Sequence, residues 1–467
     1  MDEIPKENTQ RNEPVENPQF MPTSATAEDT SDNSRTGCCR RKRPFSLAAF
    51  LKKYFWEGQS LTATHQKAIE TIRHDAKWYQ KAMILHRRII GILIPSSLFL
   101  FIWLTIMAKR NLWHLFNEKY FMSITMVFGS LIAGMTSEGG GAVAFPVMTL
   151  AFGIKPSIAR DFSLMIQSAG MTAAAFTIIW MKVQLEWHSI IFCSLGGGIG
   201  TIVGLEFIDP RLTPQQKKMG FVCIWFSFAF VLFWLNRYHK RRTFPKIPNF
   251  NWWKALVLIA TGLLGGVFTA FAGSGLDICS FSILTLLFRV SEKTSTPTSV
   301  ILMAGNTVVG FYWRSVIMEA IELESWEFLA VCVPIVVFGA PLGSVIGTHF
   351  HRLVLAGLIY IIDTVALVSA FAIVRPLSVE FVLVCVGIIV FGALSFFLLS
   401  RAGQKFLEVS ERGEEDMWAE EHKKWDEEKD LELRIQNGEP SAVEETSSQA
   451  NTADEGQINA AFEDSKP

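Results

Sequence analysis

Two glycine-rich segments hold the residues of this chain best able to do chemistry. The first reads Gly134-Met-Thr-Ser137-Glu138-Gly139-Gly140-Gly141 and runs on to Pro146; the second reads Phe268-Thr-Ala-Phe-Ala-Gly273-Ser274-Gly275-Leu-Asp277. A glycine turn that opens a helix exposes backbone N–H groups at the positive end of the helix dipole, without a bulky wall, which is what an oxyanion needs. Ser137 and Ser274 can add hydroxyl donors at the same places. Glu138 and Asp277 stand beside them as carboxylates. A carboxylate next to an anion site repels the anion unless it is protonated, and desolvation favours the neutral form. One reading is therefore a proton carried together with an anion; the other is a cap on the free N–H groups of a broken helix. Gln167 and Ser168 lie in one apolar run, and Asn306 and Thr307 at nearly the same place in another. They can line the same cavity or hydrogen-bond between helices.

These residues depend on the elements that hold them. Each glycine segment interrupts an apolar stretch of membrane length. An unpaired backbone group in hydrocarbon is costly, so such a break must face protein or water. Half of the 467 residues are hydrophobic. Apolar runs fall near 89–108, 120–135, 140–154, 162–181, 188–208, 218–236, 252–272, 276–290, 298–318, 326–348, 352–372 and 378–400. The expectation is an all-α polytopic membrane protein with about 11–12 hydrophobic segments. A net charge of −1 supplies no basic field for nucleic acid.

The organisation follows from composition. Residues 1–44 read as a disordered tail and 45–88 as an amphipathic or cytosolic helical lead-in. The span 89–108 comes first and acts as the insertion signal, since the start of the chain has no cleavable-signal pattern. A basic loop occupies 237–251, a last span 378–400, and a charged, mostly disordered tail 401–467, in which Glu411–Arg434 can form a solvated helix. Of seven cysteines, Cys193, Cys223, Cys279, Cys332 and Cys385 lie in apolar runs as small hydrophobes. Cys38-Cys39 precede Arg40–Arg43, a palmitoylation signal or an ordinary retention cluster. No cysteine pair has zinc-finger spacing and no Gly-x-x-x-x-Gly-Lys-[Ser/Thr] loop suggests ATP hydrolysis, so no cofactor is expected.

Basic clusters at 40–43 and 237–246 belong in the cytoplasm, and six runs separate them, an even number. The loop 319–327, with Glu319, Glu322, Glu324 and Glu327, then falls outside, and the C-terminal tail returns inside. Only Lys109-Arg110 conflicts, by landing outside. The two halves, 117–236 and 252–372, also repeat. Gly139 and Gly141 match Gly273 and Gly275, Ser163 matches Ser299, and Gly196, Gly200 and Gly204 match Gly339, Gly343 and Gly347. Each half holds five runs, an odd number, so the second copy enters from the opposite side as an inverted repeat. The four-residue glycine spacing puts a small-residue stripe on one helix face for close packing.

Two glycine loops, each followed by an apolar run, a polar turn and a Gly-x-x-x-Gly-x-x-x-Gly helix, resemble the sulfite exporter TauE/SafE family over about residues 117–400. The first loop is the closer match; in the second, Ser274 replaces the central glycine and Ser280 stands where Pro146 would. The resemblance implies a permease for sulfite, sulfonates or related organic anions, working by alternating access around the two loops. The partners expected are a small anionic substrate and the lipid bilayer. Two other readings stay open. Gly273-Ser-Gly275-Leu-Asp277 is one residue longer than the Gly-x-Gly-Asp loop of intramembrane aspartyl proteases, with Asp363 as the second carboxylate. A receptor or scaffold on a transporter fold, acting through its tails, is the third.

Overall fold

The computed structural model describes residues 85–136, 140–238, 244–350, 352–374 and 378–436. The expectations for both tails beyond these limits, and for Ser137, Glu138 and Gly139, lie outside the described residues. Twelve α-helices follow in order: α1 Arg87–Arg110, α2 Leu115–Met135, α3 Gly141–Pro146, α4 Pro156–Trp180, α5 Trp187–Val203, α6 Pro214–Tyr238, α7 Trp252–Ala272, α8 Leu276–Ser282, α9 Glu292–Tyr312, α10 Leu323–Gly347, α11 Arg352–Val374 and α12 Val379–Gln436. Among the described residues there is no strand, only an isolated bridge between Phe244 and Val290. Nine helical segments there are long and apolar enough to cross a membrane. α2 and the two short helices α3 and α8 account for the other runs. The charged tail is helical as far as Gln436, as a continuation of α12.

The runs at 140–154 and 276–290 are not spans. α3 continues through a wider turn, Val147–Ala151, and α8 through Ile283–Leu287. At 1.5 Å per residue each unit is roughly 16–18 Å long, about half the hydrocarbon core. Both end in the same backbone hook. Phe152 N–H bonds Val147 O and Ile154 N–H bonds Met148 O; Phe288 bonds Ile283 and Val290 bonds Leu284 in the same way. Gly153 and Arg289 both turn through left-handed φ, 66° and 56°.

The bundle has an acidic-loop end and a basic-loop end. At the first, Lys119 of α2 pairs with Glu327 (2.8 Å) and Lys155, just before α4, pairs with Glu322 (3.7 Å). At the second, Arg87 donates to Trp180 O (2.7 Å), Glu186 accepts from Ile247 N–H (2.9 Å), and Arg289 donates to Ser400 O (3.0 Å). The α2–α3 hairpin therefore enters from the acidic-loop end, and the α7–α8 hairpin from the basic-loop end. The start of α1 and the membrane part of α12 finish at the same basic-loop end.

Helix pairing exchanges the halves: α2 packs on α10, α5 on α7, α4 on α9 and α6 on α11. The glycine stripes make the first two contacts possible. A Cβ on Gly196 or Gly200 would run into Ile259 O or Leu263 O of α7, and one on Gly343 into Leu131 O of α2. Backbones this close leave no room for side chains. A core around Phe145, Phe162, Phe221, Trp225 and Phe228 fills the space beside the hairpins.

Candidate functional site

The second loop is shaped by crowding as much as by backbone angle. α7 stops at Gly273, whose φ of 78° is left-handed and costly for any residue with a Cβ. A Cβ there would also lie 2.5 Å from Ser163 Cβ and 2.9 Å from Arg160 O. Gly275 is extended, φ 168°, but a Cβ would lie 2.5 Å from Phe268 Cβ and 2.8 Å from Thr269 N. α8 then starts at once. Thr269 Oγ1 accepts from Leu276 N–H (3.2 Å), which satisfies one of the helix's free amides. Ser274 Oγ donates to Asp277 Oδ2 (2.7 Å) in the first turn. Asp277 Oδ1 is buried with no hydrogen-bond partner among the described residues.

The tip of the first hairpin touches this loop. A Cβ on Gly141 would lie 2.8 Å from Ser274 Cβ, 3.3 Å from Gly273 O and 2.7 Å from Gln167 Nε2. Gly140 is also buried, with Gln167 Cγ 3.5 Å from its Cβ position. Gln167 ties the tips together: its Nε2 donates to Gly273 O (2.7 Å) and Ser163 O (3.0 Å). Two carbonyls fix the amide orientation, because the flipped form would set Oε1 against both. That leaves Gln167 Oε1 and Ser163 Oγ buried without partners among the described residues.

Asn306 sits on the next layer. Its Oδ1 accepts from Thr201 Oγ1 (3.1 Å), and its Nδ2 is buried with no partner among the described residues. Gly197 lies between Asn306 and Leu276 at the start of α8, since its Cβ position is 3.1 Å from Asn306 Oδ1 and 2.9 Å from Leu276 Cδ2. Ser168 and Thr307, by contrast, donate to carbonyls of their own helices, Met165 O (2.7 Å) and Met303 O (2.8 Å). Among the described residues no hydrogen bond joins either to the hairpin tips.

The structure thus gathers Gly140, Gly141, Gln167, Gly273, Ser274, Gly275 and Asp277, with Asn306 beyond Gly197. Ser163, Thr201 and Thr269 join them without having been singled out as site residues. Two signals mark Ser163 in the sequence: its match to Ser299 in the repeat, and a face of α4 shared with Arg160 and Gln167. Chemically, the unpaired Asn306 amide and the Ser163 hydroxyl offer donors to an anion, Gln167 Oε1 can accept a hydrogen bond, and Asp277 Oδ1 can take a proton. Among the described residues no group of three or more His, Cys, Asp or Glu is placed to hold a metal.

A small cleft, with room for about 40 Å³ of water-sized space, opens at the basic-loop end. Val183, Glu292, Thr296 and Pro297 line it, and it reaches Gly134 and Met135 at the end of α2.

The sulfite exporter TauE/SafE family model matches residues 122–370, more than half of the chain. No curated protein and no solved structure gives a match. The match covers both hairpins and the helices that clamp them, and the chain belongs to the sulfite exporter TauE/SafE family, membrane transporters of sulfite or related anions.

Proposed function

We propose that this protein is a secondary transporter of sulfite, a small sulfonate or a related organic anion, and that the anion binds where the two hairpin tips meet. The observation that carries this is the contact of Gly141 with Ser274 and Gly273 beneath Gln167. Broken helices from opposite ends that meet inside a bundle are a recurrent transporter site. Ser137, Gly139 and Glu138 complete the first loop in this reading, and Ser168 and Thr307 line the approach. The two halves form an inverted repeat, both chain ends lie in the cytoplasm, and the halves rock about the tips. Asp277 or Glu138 carries the coupled proton. The recurrence of the hook and the paired helix contacts support the repeat; the buried Oδ1 of Asp277, beside the Oδ2 that accepts from Ser274, is the place for the proton.

Uptake of labelled sulfite, sulfate and a small sulfonate into proteoliposomes under an inward proton gradient tests the reading. Flux of one of these that Gly141→Leu abolishes is the expected result. No flux from folded protein would move weight to other organic anions, and then to the receptor reading. Asp277→Asn combined with Glu138→Gln should flatten the pH dependence of transport; an unchanged profile would remove the proton role. Membership of a transporter family leaves the intramembrane protease reading without support.

A further inference from the structure

Five charged residues meet at the acidic-loop end, one turn beyond the hairpin tips, and all five are buried, with the side chains of Asp209 and Lys217 at the rim. Arg160 Nη2 pairs with Asp161 Oδ1 (2.8 Å), and Arg160 Nη1 pairs with Asp209 Oδ2. Lys217 Nζ holds the other Asp209 oxygen (2.6 Å). Arg314 clasps Asp161 with both Nε (3.0 Å) and Nη2 (2.7 Å) and also donates to Ala320 O (2.7 Å). The cluster ties α4, the turn after α5 and the start of α6 in the first half to the end of α9 in the second. It holds three cations against two carboxylates, an excess of one positive charge.

The other end is built differently. At the shift that matches Ser163 with Ser299, Thr296 and Pro297 stand where Arg160 and Asp161 stand in the first half. These two residues line the open cleft. The start of α4 is thus locked by ion pairs, while the equivalent start of α9 lines a small open cleft.

We propose that Arg160, Asp161, Asp209, Lys217 and Arg314 form the charge-selective gate of the anion path at the acidic-loop end, closed in this conformation. Arg160 reaches the tips directly, since its carbonyl stands 2.9 Å from the Cβ position of Gly273. An arriving anion competes with Asp209 and Asp161 for Arg160 and Arg314, so neither guanidinium is left bare as the cluster opens; Asp209 keeps Lys217, and Asp161 must take up water or a proton. The excess cation rejects cations and attracts anions. This reading takes its substrate class from the transport proposal, but its motion can be measured without any transport.

The test places a cysteine under the gate, Ser163→Cys, and applies a membrane-impermeant thiol reagent to either side of sealed proteoliposomes. With the gate intact, labelling comes from the basic-loop side only. Adding Asp161→Asn should raise labelling from the acidic-loop side at least about tenfold, because it breaks two buried ion pairs, to Arg160 and Arg314, and so strongly biases a two-state closure. Arg314→Lys, which keeps the charge but loses the two-pronged grip, should give a smaller rise. Unchanged labelling from that side in both folded variants overturns the proposal. Should Asp161→Asn fail to fold, Lys217→Gln at the rim serves instead, with the same expected rise and the same overturning result. Gate opening without flux of any anion would overturn the transport reading alone; flux blocked by Gly141→Leu without any labelling change would overturn the gate alone.

Discussion

Neighbouring glycines at the hairpin tips do different work. Gly140 has its nearest Cβ contacts at 3.5 and 3.7 Å, whereas Gly141 would drive a methyl group between Gln167 and Ser274. Gly140→Ala should therefore leave thermal stability within about 0.5 kcal/mol, and Gly141→Ala should cost about 1–3 kcal/mol by overpacking. Melting curves of the purified variants check this; equal effects would mean that the tips do not meet as described. Gly273→Ala combines a left-handed φ with a 2.5 Å clash and should cost at least as much. The glycines and Asp277 were legible in the sequence because they break apolar runs. The orientation of Gln167 was not, since only Gly273 O and Ser163 O, from two different helices, decide it.

At the level of elements, hydropathy marks every described helix but does not tell the depth of two. The runs 140–154 and 276–290 have the composition of spans, yet each is a half-length helix that ends in a hook. Apolar content records burial, and a buried half-helix is as apolar as a crossing one. The glycine stripes were read correctly as packing surfaces, and α5 shows how local that requirement is. Gly198 has nothing within 4 Å of its Cβ position, whereas Gly200 meets Leu263 of α7. Gly198→Ala should hold or raise stability by up to about 1 kcal/mol through helix propensity, and Gly200→Ala should lower it by about 1–3 kcal/mol. Arg314 reads from the sequence as a snorkelling residue near a span end, with a gating role open to it, but the cluster it joins does not, for the opposite reason. Arg160-Asp161 sits at the start of a run and Arg314 near the end of another, where charges ordinarily reach for water. Only the packing of α4 against α9 buries them together.

For the whole molecule, the described contacts put the start of α1, the loop 181–187 and the membrane part of α12 at one end, and the loop 319–327 at the other. A glycosylation acceptor placed in 319–322 should be modified when the chain is made on endoplasmic reticulum membranes, and one placed in 182–185 should not; the reverse pattern would invert the proposed orientation. By itself the sequence determined that this is an all-helical membrane protein, where its apolar segments lie, that its glycine loops recur, and which family it resembles, because hydropathy and glycine spacing are local properties of the chain. Tertiary structure decided which residues meet. It set Gly141 against Ser274, turned Gln167 onto Gly273, and closed one end with Arg160, Asp161, Asp209, Lys217 and Arg314 while leaving a cleft at the other. Those contacts join residues up to 153 positions apart, and no local pattern encodes which helix face turns toward which.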